Sequence, residues 1–112
     1  MKATFKGSAD EVKSQLYSVF SQGTEKSEVI SISKSKFDIE EEEIRSYDYG
    51  SDPLVLEQEG KKLDVYSWVE MDIANYRSLK KLFIKTTVTA KFFFDEQEKL
   101  IGIDVTLYGD SL

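Results

Sequence analysis

At 112 residues, with 40% apolar and 32% charged side chains, the chain has the length and composition of one globular domain with a core of its own, which excludes a disordered polymer. It contains no cysteine and no histidine, which removes disulfides, thiol nucleophiles, structural zinc sites and the side chain that most often acts as a base at neutral pH. The net charge of −6 argues against direct nucleic-acid binding, because no basic footprint spans the domain.

The charge is laid out in blocks. Residues 1–36 sum to +2, 37–72 to −9, 73–94 to +5 without a single acid, and 95–112 to −4. Such blocks either neutralise one another between neighbouring strands or present opposite faces to partners.

In chain order, "ATFK" (3–6) alternates and suggests a short strand. "GSADEVKSQLYSVFSQG" (7–23) carries the strongest local signal. Ser8 and Glu11 form a capping box, Val12, Leu16, Val19 and Phe20 fall on one helical stripe, and Gly23 suits the position just past a helix end. Burying those four side chains is worth roughly 6–12 kcal/mol before conformational entropy is subtracted. "SEVISISKSKFDI" (27–39) is rich in β-branched residues, with Ile30 and Ile32 alternating against serines, and is expected as a strand, with either a bulge at Phe37 or a strand end near Lys34.

"LVLEQEGKKLDVYSWVEMDI" (54–73) is expected as a hairpin turning at Glu59-Gly60, which sets Leu54 against Val65, Leu56 against Leu63 and Glu57 against Lys62. "IANYRSLKKLF" (73–83) has Tyr76, Leu79 and Phe83 at helical spacing and reads either as a short basic helix, the favoured reading, or as a turn running into a long strand. The C-terminal hairpin pairs Phe92 with Ile103, Ala90 with Val105, Val88 with Leu107, Lys91 with Asp104, Phe94 with Ile101 and Asp95 with Leu100. A slip of one would set Lys91 against Ile103. One domain over 1–112 results. It is α+β, with one N-terminal helix packed on a curved antiparallel meander of about five or six strands. Cystatin-like and nuclear-transport-factor-like cups are the nearest architectures in general shape, and that likeness says nothing of function.

Enzyme chemistry is not expected. No glycine-rich phosphate loop follows a strand, and nothing places two carboxylates in a cleft. No cofactor is implied. The fragments 48–52 and 95–102 lack the ligand spacing of a calcium loop.

Seven carboxylates and one arginine crowd "FDIEEEEIRSYDYGSD" (37–52). Such a run is either a solvated edge whose charge prevents edge-to-edge pairing, or a docking surface for a basic partner. Along 63–73, Leu63, Val65, Val69 and Met71 share one face and leave Tyr66 and Trp68 on the other among acids, the texture of a protein-binding hot spot. The residues expected to bind a partner are Glu40, Glu41, Glu42, Glu43, Tyr47, Asp48, Tyr66 and Trp68. The expected function is a non-enzymatic protein-binding module of inhibitor, immunity or adaptor type, acting on a basic protein surface. One alternative is a cup carrying a small apolar ligand near Trp68; the other is a homo-oligomer joining acidic to basic block. No membrane span is present in sequence and the expected location is the cytoplasm, although a chain shorn of a signal peptide would read the same.

Overall fold

A computed structural model describes residues 8–77 and 84–111. In order these form α1 (Ala9–Val19), α2 (Lys26–Lys36), a 3-10 turn (Glu41–Glu43), β1 (Arg45–Asp48), β2 (Leu54–Gln58), β3 (Lys61–Val65), β4 (Ser67–Arg77), β5 (Ile84–Phe94) and β6 (Leu100–Ser111). The class is α+β, with N-terminal helices on antiparallel strands. The strands divide into a four-stranded sheet ordered β1-β4-β5-β6 and a separate β2-β3 hairpin.

The capping box forms as the sequence requires. Ser8 Oγ accepts the Glu11 N–H and Glu11 Oε1 accepts the Ser8 N–H, each at 3.2 Å. Val12, Leu16 and Phe20 are fully buried. The helix stops at Val19, short of Gly23, whose φ of +89° serves the following turn.

Residues 27–39 depart from expectation. They contain a second helix, not a strand. Val29 and Ser33 are buried on α2, and Phe37, one turn further on, closes it as the C-cap. This i, i+4 spacing competes with the serine-isoleucine alternation, and the helix buries the larger Phe37. Glu28 in the first turn and Lys34 and Lys36 in the last also complement the helix dipole. Phe37 meets Phe20 edge-on at 5.9 Å, and Phe20 meets Phe92 at 5.2 Å, so both helices lock onto one face of the sheet. Val69, Met71, Phe92, Phe94 and Ile103 fill that face.

The β2-β3 hairpin has the expected register throughout. Its turn places Glu59 and Gly60 at φ of +53° and +78°, the left-handed pair that matches strand twist. The hairpin lies on the opposite face of the sheet from the helices. A methyl group added at Gly102 would approach Gln58 Oε1 to 2.9 Å and Leu63 Cδ1 to 3.0 Å, so the missing side chain is what lets the hairpin dock. The chain leaves the hairpin at Tyr66 and enters the main sheet at Ser67, so 54–73 is a hairpin plus the start of another strand.

The β5-β6 register matches expectation at Phe92, Lys91, Ala90 and Val88. Phe94, however, pairs with Leu100 and not Ile101, because the register shifts between Phe93 and Phe94. Ile73–Arg77, where the sequence favours a helix over a turn running into a strand, continue β4 with a shift between Asp72 and Ala74. The rest of that expectation (78–83) and the strand at 3–6 lie outside the described residues.

Candidate functional site

The face of the sheet turned away from the helices carries two adjacent cross-strand rows. The first runs Tyr47, Trp68, Phe93 and Gly102, and the second Arg45, Glu70, Lys91 and Asp104. In the charged row, Arg45 Nε lies 2.8 Å from Glu70 and its Nη2 3.3 Å from Asp72, while Lys91 Nζ is 3.7 Å from Glu70. Hydrogen bonding to Glu70 holds the guanidinium pKa above its ordinary value, against a smaller opposing effect of burial. The alternating signs neutralise across strands, which is how part of the acidic segment meets the basic one.

In the aromatic row the Trp68 ring touches Tyr47 at 4.9 Å and Tyr49 at 5.3 Å, and meets Phe93 edge-on at 6.3 Å. Lys91 Nζ sits 5.9 Å from the indole centroid, within cation–π range. Tyr47 remains 42% exposed. The Trp68 indole N–H is covered and has no hydrogen-bond partner among the described residues. A buried donor left unmade costs about 1–3 kcal/mol.

The acidic run forms a short turn before β1. The Glu40 N–H donates to Glu43 Oε1 at 2.9 Å, and Glu41 pairs with Lys34 of α2. Glu40, Glu42, Asp48 and Asp52 make no ion pair among the described residues. At the other end of β1, Asp48 and Tyr66 line a groove of about 300 Å³ with Asp95, Glu96 and Glu98. Lys26 and Lys99, the cations at this end, are already engaged. Lys26 Nζ lies 3.3 Å from Ser67 Oγ and 3.9 Å from Glu98, and Lys99 Nζ lies 2.9 Å from Glu25.

Comparison with family models, with curated proteins and with solved structures finds no counterpart to this chain.

Among the eight residues expected at a binding surface, Tyr47 and Trp68 are in contact, and Asp48 and Tyr66 share one groove. Glu40–Glu43 precede β1, and even Glu43 stands four residues before Tyr47 in the chain. Tyr49, Asp95, Glu96 and Glu98 were not anticipated. Tyr49 was within reach, since it follows Tyr47 by two and therefore shares its face. The three acids belong to the β5-β6 loop, and only the tertiary fold brings that loop beside Asp48. No group of three or more carboxylates among the described residues is arranged to hold a metal ion, and no described helix is long and apolar enough to cross a membrane.

Proposed function

We propose that this protein is a non-enzymatic protein-binding module acting in the cytoplasm, and that it grips a basic partner through the end of the sheet that carries β1. The observation that carries this reading is the Tyr47–Trp68 contact at 4.9 Å, lying between unpaired acids at Glu40 and Glu42 on one side and the acidic groove at Asp48 on the other. A partly exposed Tyr/Trp pair supplies rigid contact area at low entropy cost, and surrounding carboxylates steer a cationic partner and fix its orientation. The carrier reading draws on no such feature, because Trp68 turns away from the helix-covered core and packs on its neighbours.

The test is affinity capture from a nuclease-treated lysate, followed by calorimetric titration of the captured protein, purified, into the wild type and two variants. One variant joins Glu40→Lys and Glu42→Lys, which leaves the Glu41–Lys34 pair and the Glu40 N–H bond to Glu43 Oε1 in place. The other is Tyr47→Ala. Each is checked for native circular dichroism. A partner bound at least about tenfold more weakly by each variant, and weakened by salt, supports the reading. Equal affinity for all three forms removes it.

A further inference from the structure

The two edges of the four-stranded sheet are treated differently. At the β6 edge, Ile103 turns both backbone groups away from β5, and both are taken. Its N–H donates to the Tyr17 hydroxyl at 2.9 Å and its carbonyl accepts from Gln58 Nε2 at 2.8 Å. At the β1 edge nothing comparable exists among the described residues. The Tyr49 N–H donates to the Tyr66 carbonyl at 2.9 Å, one step beyond the Asp48–Ser67 pair. Antiparallel alternation then makes Tyr47/Trp68 and Arg45/Glu70 the bonded pairs, and turns the N–H and C=O of Ser46 and Asp48 outward. Both residues are exposed, and no described residue bonds those groups.

We infer that β1 is a docking edge, and that its ligand is an extended, lysine- or arginine-bearing segment of the partner, which adds to the sheet as a fifth strand against Ser46 and Asp48. The inference rests on the reading of this end as a protein-binding surface, and adds the mode and the chemistry of the ligand. Main-chain hydrogen bonds to an open edge give affinity, and pockets for alternate side chains give selectivity. Charge selects the occupant. The acids without ion pairs at Glu40, Glu42 and Asp48 flank the edge, and Arg45, the cation within β1, is spent on Glu70 and Asp72. Like charge disfavours a second copy of the same edge, whereas a cationic strand is attracted. A lysine or arginine opposite Asp48 lies at the mouth of the groove formed with Tyr66, Asp95, Glu96 and Glu98.

The probe is an acetylated, amidated nonapeptide of alternating lysine and valine, titrated at low salt into isotope-labelled full-length protein while backbone amide shifts are followed. Two further peptides carry N-methyl groups on one or the other alternate set of residues. A strand added to an edge uses only one set of its own N–H groups, so one methylated peptide weakens at least about tenfold and the other binds like the parent. The largest shifts fall at Ser46 and Asp48. Ser46→Pro removes an outward N–H without touching the β1-β4 ladder, and it weakens binding where Ser46→Ala does not.

Equal binding by both methylated peptides, or no binding by the parent, overturns the inference, as does a protein that self-associates through Ser46 without peptide. If Ser46→Pro fails to fold, the methylated peptides still decide. The peptides contain nothing from the captured partner, so this experiment can fail while the partner titration succeeds, and the reverse.

Discussion

The Tyr17 hydroxyl and the Ile103 backbone N–H are 86 residues apart in sequence and 2.9 Å apart in the fold. With Gln58 on the Ile103 carbonyl from the opposite face and Lys13 paired to Glu59 at 3.0 Å, α1 and the β2-β3 hairpin meet around one sheet edge. Tyr17→Phe leaves the Ile103 N–H without its acceptor in a part-buried place. It is expected to lower unfolding stability by about 1–2 kcal/mol with an unchanged denaturant slope. A loss below about 0.3 kcal/mol in urea titration would mean that water replaces the phenol freely.

Gly102→Ala should be costlier. The added methyl would press on Gln58 Oε1 and Leu63 Cδ1 at 2.9 and 3.0 Å, and moving Gln58 breaks its bond to Ile103. An overpacked contact of this kind costs about 1–3 kcal/mol. The expected signature is faster amide exchange confined to β2 and β3, measured beside the thermal midpoint.

Glu25 and Lys99 predict a pH effect. The Lys99 ammonium, first by hydrogen bonding and then by charge, holds the Glu25 carboxyl below its ordinary range, and Glu25 in turn raises the ammonium. A carboxylate with a depressed folded pKa adds stability that is present above its unfolded pKa and is lost as pH falls through the folded one. The raised ammonium adds stability that is present below its unfolded pKa and is lost as pH rises through the folded one. The gap between wild type and Glu25→Gln should therefore be widest around neutral pH and close toward both extremes. Both groups are solvent-facing, so the gap is small, and it shrinks with salt. A gap that widens in acid would contradict the assignment.

Tyr47→Ala tests the aromatic row through the single tryptophan. Losing a ring 4.9 Å away admits water to the indole. The emission of Trp68 should shift to longer wavelength and its quenching by acrylamide should increase. Stability should fall by roughly 0.2–1 kcal/mol, the worth of a cross-strand pair on an edge strand. Unchanged emission would mean that Tyr49 and Phe93 alone shield the indole.

Both hairpins were legible because each register could be judged from the side chains it brought together, as Glu57 with Lys62 and Lys91 with Asp104. What escaped was what no neighbour in sequence reports. Residues 27–39 satisfy two periods, and only the packing of Phe37 on Phe20 decides between them. The shift beside Phe94 changes which residue it faces without changing the apolar pattern. The candidate site was half visible. Tyr47, Asp48, Tyr66 and Trp68 stood out by composition, but the pairing of β1 with β4, which joins Tyr47 to Trp68, leaves no local mark in the chain.

The contact between Tyr17 and Ile103 also sets an order of events during synthesis. The amphipathic stripe of α1 emerges early, while β6 (Leu100–Ser111), which carries its hydrogen-bond partner, emerges last among the described elements. Until then Leu16 and Phe20 have no complete surface to lie against. Contacts between distant parts of a chain also form slowly. Until β6 is available, the apolar stripe of α1 is therefore unsheltered, and that interval is when a holdase or a low local concentration protects the chain most.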